Sequence, residues 1–211
     1  MDKKELTRGF SSNKETLETA YLQHAEPWKQ SGFSGPEDRW VRVRKPIADC
    51  IEKSGTFLDI GCANGYLLEC IMKWTAERGL SIVPYGLDLS EKLVELAKRR
   101  LHEYRDNLYA GNSWDWVNPI KFKYVHTELV YVPEPLQKAY VERIMDNYLE
   151  DGGELLVAEY RSSKDLVNLP WIDETLIKWS FRIIRTISGF DNGRELTRVV
   201  TVPKQVVQRL I

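Results

Sequence analysis

The sequence predicts an α/β fold: a doubly wound, mostly parallel sheet of seven strands that ends in an antiparallel hairpin and carries an N-terminal helical cap. Three observations predict it. From residue 54 onward, short apolar runs of strand period alternate with amphipathic runs of helical period. The first of these strands, Thr56-Phe57-Leu58-Asp59-Ile60, passes directly into a glycine-rich turn and a helix. Near the C-terminal end, two β-rich runs flank Asn192-Gly193, a dipeptide suited to a tight hairpin. Strands separated by helices call for parallel pairing with right-handed crossovers and helices on both faces.

Residues 1–53 are helical in pattern and mixed in charge, and form the cap; residues 54–211 form the sheet domain. Lys14 to Ala25 reads as one helix, Glu26 to Gly35 as a loop, and a second helix begins at Pro36-Glu37-Asp38, to be bent or broken at Pro46. A helix from Tyr66 to Glu77 follows the glycine-rich turn, and a second strand spans Ile82 to Leu87. Ser90 caps an amphipathic helix reaching Tyr104, with Leu93, Leu96, Ala97 and Leu101 on its buried side. Strands are expected at Leu108 to Ala110 and Phe122 to His126. A helix then starts at Pro135 and runs to about Leu149, and Asp151-Gly152-Gly153 turns the chain into a strand from Glu154 to Tyr160. The hairpin strands are Phe181 to Ser188 and Arg194 to Val202.

Composition excludes several classes of protein. Of the 211 residues, 43% are hydrophobic and 29% charged, as in one ordinary globular domain with an appendage. A chain of this length buries roughly 70 to 75% of its unfolded surface, so its core needs neither disulfide nor metal. With 30 basic against 31 acidic side chains, the net charge of -1 gives no general attraction to phosphate polymers. No apolar run approaches the roughly 20 residues that span a bilayer, and the N-terminus lacks the apolar stretch of a secretion signal. Cys50, Cys62 and Cys70 form no Cys-x-x-Cys pair, which fits buried thiols in a reducing cytoplasm. A zinc site would need further close ligands, and His24, His102 and His126 are scattered, so no metal is expected.

The chemistry centres on the first two strand ends. Asp59-Ile60-Gly61-Cys62-Ala63-Asn64-Gly65 is a turn whose glycines permit close backbone approach to a ligand, and the helix behind it presents free N–H groups to the crevice at the strand ends. Asp88 ends the second strand, 23 residues beyond Gly65, where a carboxylate accepts from both hydroxyls of a ribose. The alternative role, capping the next helix, is already filled by Ser90.

These residues resemble the class I S-adenosylmethionine-dependent methyltransferases over about residues 54 to 202, through the Asp-x-Gly-x-x-x-Gly turn, the acid ending the second strand and the closing hairpin. The dinucleotide fingerprint Gly-x-Gly-x-x-Gly fails here at Ala63 and Tyr66. The resemblance implies S-adenosyl-L-methionine as cofactor. It implies that Asp59, Gly61, Cys62, Ala63, Asn64 and Gly65 line its methionine and ribose portion, with Asp59 facing the amino group. Asp88 would hold the ribose and Leu89 would pack on adenine, with Tyr21 folding over from the cap. After the third strand, Gly111-Asn112-Ser113-Trp114 stands where the family has an adenine-binding acid, a role open to Asn112 or to Asp115. The fourth strand end faces the reactive methyl, making His126 the candidate base or acceptor orienter, or else a packed histidine, and Glu128 a second candidate.

Three segments are candidate substrate walls: the cap aromatics Tyr21, His24, Trp28, Phe33 and Trp40, the Trp114-Asp115-Trp116 turn, and Asp165 to Trp179. Aromatic walls suit a small organic acceptor of a methyl group on O or N. The rival is an RNA or protein methyltransferase using the basic run Arg39-Trp40-Val41-Arg42-Val43-Arg44-Lys45 with Lys178, Arg182, Arg185, Arg194, Arg198, Lys204 and Arg209. A charge run is more often a solvated face. A module that keeps the fold without turnover is the third reading.

Overall fold

A computed structural model describes residues 18–162 and 169–205. Helix α1 (Glu37–Asp49) precedes strand β1 (Gly55–Ile60), and α2 (Tyr66–Ala76), β2 (Ile82–Asp88), α3 (Glu91–Arg100) and β3 (Leu108–Ala110) follow. The second half holds β4 (Phe122–Glu128), α4 (Gln137–Asn147), β5 (Leu149–Tyr160), α5 (Ile172–Lys178), β6 (Arg185–Asp191) and β7 (Arg194–Pro203). The seven strands form one sheet in the order β3-β2-β1-β4-β5-β7-β6, parallel from β3 to β5 and antiparallel at the β7 and β6 edge.

Strand alternation sorts the core into two layers. Phe57, Tyr124, Leu156 and Val199 pack on one face with Trp40 and Ile47 of α1, Leu68 and Ile71 of α2 and Val94 of α3. Their chain neighbours Leu58, Val125, Leu155 and Val200 pack on the other with Val141 and Ile144 of α4 and Leu176 of α5. The strands are buried on both faces, as a sheet covered by helices on each side demands.

Several element boundaries differ from the sequence expectation. Pro46 neither ends nor splits α1, which continues to Asp49. Its face bearing Trp40, Val43 and Ile47 is buried, and packing of that face outweighs the roughly 3 kcal/mol cost of an internal proline. Gly189 of β6 makes the room, since a Cβ there would lie 3.0 Å from the Arg42 carbonyl and 3.1 Å from Pro46. The first expected helix is helical only through Leu22 in its described part, and Lys14 to Leu17 lie outside the described residues. Helix α3 stops at Arg100, and a 3-10 turn over His102–Asn107 carries the chain to β3. Asp151-Gly152-Gly153 does not precede β5 but forms an irregularity within it: the register with β4 jumps from Phe122↔Leu149 to Tyr124↔Glu154. The hairpin turn has the positive φ values of Asn192 (49°) and Gly193 (75°), although β6 begins only at Arg185.

Gly86 in β2 lies against the turn after β1, where a Cβ would come within 2.8 Å of both Cys62 Sγ and Leu108 Cδ2. Gly86→Ala should therefore destabilise the fold by about 1–3 kcal/mol. The check is a lower urea midpoint at unchanged slope.

Candidate functional site

A cavity opens at the carboxyl ends of β1, β2 and β4, with Asp59, Asp88 and His126 in its lining. This is the crevice that a doubly wound sheet offers to ligands. The turn after β1 is held from beneath: the Gly61 and Cys62 N–H groups both donate to the Leu87 carbonyl, at 2.8 and 3.2 Å. Ala63 adopts φ 46°, and its N–H donates to Asp88 Oδ2 at 2.9 Å. The other Asp88 oxygen accepts from the Ser90 N–H at 2.8 Å. Ser90 itself caps α3, its Oγ accepting from the Leu93 N–H at 3.2 Å. Asp88 thus ties turn to helix while its carboxylate lines the cavity.

Asp59 and His126 are paired residues of adjacent parallel strands, so their side chains fall on the same face. Asp59 Oδ1 lies 2.7 Å from His126 Nδ1, and both side chains are 2% exposed. Asp59 Oδ2 and His126 Nε2 have no hydrogen-bond partner among the described residues. The histidine is therefore bound to a carboxylate through one nitrogen and retains only Nε2 for chemistry.

Of the sequence-derived residues, Tyr21, Gly61, Cys62, Ala63, Asn64, Leu89, Asn112, Ser113 and Glu128 also line the cavity. Two do not. Gly65 sits at φ 75° as the N-cap of α2, and a Cβ there would crowd Ala97 Cβ at 3.0 Å, so its place is in helix packing. Trp114 turns away and stacks on Tyr140 with the rings 6.3 Å apart. Asn64 lines the cavity with its side chain already engaged: its amide donates to the Pro27 carbonyl (3.0 Å) and Gln30 Oε1 (2.8 Å) and accepts from the Tyr66 N–H. Asn112 Oδ1 accepts from the Trp114 N–H at 2.9 Å, so the amide oxygen expected for adenine is partly committed to its own turn.

The expected walls are also redistributed. Trp116 packs on Phe122, and the Trp171 ring is flanked by the guanidinium groups of Arg161 and Arg198, at 3.7 and 4.7 Å. Residues 165–168 of the third expected wall lie outside the described residues. From the N-terminal segment, Tyr21 and Trp40 do line the cavity. The Tyr21 hydroxyl is 3.4 Å from that of Tyr131, and Glu18 accepts from Ser90 Oγ at 2.6 Å and pairs with Lys92.

Sequence reasoning missed Arg44, Tyr131 and Glu18 as lining residues. Arg44 stood in a run read as surface charge. Its spacing of four from Trp40 puts the two on one helical face, and that was the available signal. The Arg44 guanidinium lies 3.3 Å above the Tyr160 ring and has no carboxylate partner among the described residues. The rest of the run is dispersed: Arg39 and Arg42 pair with Asp191, and Arg42 also with Asp38. Arg185 pairs with Glu52 and Glu154, and Arg198 with Asp173 and Glu195. Arg39, Arg42, Arg185 and Arg198 of the basic set are thus paired with acids, many from neighbouring elements, and Arg209 lies outside the described residues.

Burial pushes the Glu128 carboxyl above the usual range, opposed by the nearby charges of Arg44 and His126 and reinforced by Asp59. All three cysteines are free and buried, and burial raises the Cys50 and Cys70 thiols to about 11 and Cys62 well above its ordinary value. Among the described residues no group of three or more His, Cys, Asp or Glu is placed to hold a metal, and no helix is long and apolar enough to cross a membrane. Thiol alkylation at pH 8 should be at least about tenfold slower in the native protein than after unfolding in urea.

No protein-family model matches the chain. A ubiquinone biosynthesis O-methyltransferase from Thiobacillus denitrificans is 31% identical over 103 residues, which span 46% of this chain and 40% of that relative's length. Magnesium protoporphyrin IX methyltransferase from Synechocystis, solved with bound S-adenosylmethionine, superposes with a TM-score of 0.63 at 16% identity, covering 93% of this chain and 97% of that one. The N-methyltransferase NodS from Bradyrhizobium japonicum, solved with S-adenosylhomocysteine, gives a TM-score of 0.58 at 13% identity over 90% of this chain and 97% of its own. The chain has the class I methyltransferase fold.

Proposed function

We propose that this protein is an S-adenosylmethionine-dependent methyltransferase that acts on a small organic acceptor. The observation that carries the reading is Asp88: a carboxylate at the end of β2, held by two backbone N–H groups against the glycine-rich turn and lining the cavity. A carboxylate at that strand end is suited to accept from the hydroxyls of a ribose.

The remaining donors and acceptors fit the same cofactor. Its amino-acid end is a zwitterion, which needs a cation for the carboxylate and an acceptor for the ammonium. Arg44 lacks a carboxylate partner among the described residues, and Asp59 Oδ2 is buried there without a hydrogen-bond donor. We assign Arg44 to the carboxylate and Asp59 to the ammonium, with Leu89 against the adenine and Asn112 and Ser113 at its edge. When bound, the cofactor supplies an electrophilic methyl group carried on a sulfonium. The protein then has to align the acceptor, exclude water and take up a proton. We assign uptake of that proton to His126, which Asp59 contacts, or to Glu128, both of which line the cavity.

A small acceptor is supported by the way the cavity is covered. The N-terminal segment is fastened across it through Glu18 to Ser90, Tyr21 to Tyr131 and Asn64 to Pro27 and Gln30. A relative named as an O-methyltransferase and a structural neighbour named as an N-methyltransferase agree with transfer to O or N.

Calorimetric titration should show saturable binding of S-adenosylhomocysteine and none of NAD. Asp88→Ala should weaken that binding by roughly tenfold to several-hundredfold, the worth of one or two charge-assisted hydrogen bonds. Binding of NAD instead, or unchanged affinity in a folded Asp88→Ala protein, would refute the assignment. Arg44→Ala should weaken binding by at least about tenfold on the same argument.

A further inference from the structure

Glu128 is set apart from the other acids of the cavity by what it lacks. Glu18 has Lys92 and Ser90, Asp88 has two backbone N–H groups, and Asp59 has His126. Glu128, the last residue of β4, lines the cavity with no hydrogen bond or ion pair to its carboxylate among the described residues. The groups that face it are Arg44, His126 and Asp59 together with the hydroxyls of Tyr21, Tyr131 and Tyr160. Arg44 is the cation among them, and on the reading above it is taken by the carboxylate of the cofactor. A desolvated carboxylate without a partner is costly, and a cationic ligand removes the cost. The hydroxyls of Tyr21 and Tyr131, 3.4 Å apart in the cavity lining, add oxygens that can accept from an ammonium.

We propose that the methyl acceptor is a primary or secondary amine, bound as its ammonium ion by the Glu128 carboxylate beside the hydroxyls of Tyr21 and Tyr131. This rests on the methyltransferase reading. Glu128 then serves as more than an anchor. One N–H bond of the ammonium breaks, the proton forms an O–H bond on Glu128, and the electron pair stays on nitrogen as the lone pair that a nucleophile needs. Burial, which disfavours the charged carboxylate, makes that proton transfer easier than to an exposed glutamate. A carboxylate acceptor would instead meet Glu128 as a like charge, and a neutral hydroxyl would leave its charge uncompensated.

The test uses the full chain saturated with S-adenosylhomocysteine and three probes of similar shape: 2-phenylethylamine, 3-phenylpropionate and 2-phenylethanol. Calorimetry should show the amine binding at least about tenfold more tightly than either counterpart. Glu128→Gln should abolish that preference and leave S-adenosylhomocysteine affinity within about twofold, whereas Glu128→Asp, which keeps the charge, should retain it. No preference for the amine, or a preference that survives Glu128→Gln, overturns the proposal. So does a loss of S-adenosylhomocysteine affinity in Glu128→Gln as large as that in Asp59→Asn, since Glu128 would then belong to the cofactor. The wild-type titration with S-adenosylhomocysteine judges the methyltransferase reading separately, so either can fail without the other.

Discussion

The architecture of the site depends on one carboxylate gripped by two backbone segments. Asp88 accepts the Ala63 N–H through one oxygen and the Ser90 N–H through the other, at 2.9 and 2.8 Å. Ala63 sits at a positive φ that an L-residue rarely adopts, so the turn after β1 needs an external restraint. The same carboxylate positions Ser90 to cap α3 and Ala63 to border the cavity. Parallel register makes this possible, because β1 and β2 run in step to their ends, Ile60 opposite Leu87. Gly86, lacking a side chain, lets Cys62 and Leu108 close the gap between turn and sheet.

A second layer of restraint comes from the N-terminal segment. Asn64, buried within the turn, holds Pro27 and Gln30 by its amide, and Glu18 reaches Ser90 at the start of α3. The segment thereby contacts the turn and the helix that flank the cavity. Helix α1 is not peripheral to this arrangement. Trp40 is fully buried in the first core cluster, Thr197 of β7 donates to the Val43 carbonyl, and Gly189 of β6 accommodates Pro46. Arg44 is delivered to the cavity by a helix locked against the sheet edge, with little freedom to swing away.

Polar groups in the cavity differ in how far the protein itself satisfies them. Asp88 and Glu18 are satisfied, Asp59 and His126 satisfy each other on one side, and Arg44 and Glu128 line the space near each other without a direct ion pair among the described residues. Buried charge left in this state favours ligands carrying the complementary sign. A pocket built this way selects by charge as well as by shape, and the sheet fixes the positions of its charges through β1, β2 and β4.

By itself the sequence determined the sheet class, the hairpin at Asn192-Gly193 and the two strand ends that carry Asp59 and Asp88. These features are local: period-two apolar runs, a dipeptide that tolerates positive φ, and an acid at a set distance from a glycine turn. It also pointed to His126 and Glu128, since a strand end in this fold faces the crevice. Only the tertiary structure decided that His126 is tied to Asp59, that Trp114 packs away from the cavity, and that Gly65 serves helix packing. It likewise split the basic run, sending Arg39 and Arg42 to Asp191, 149 residues from Arg42 in the chain, and Arg44 into the cavity. Such outcomes depend on which distant element lies within hydrogen-bonding reach, and spacing along a chain carries no record of that until the sheet order is known.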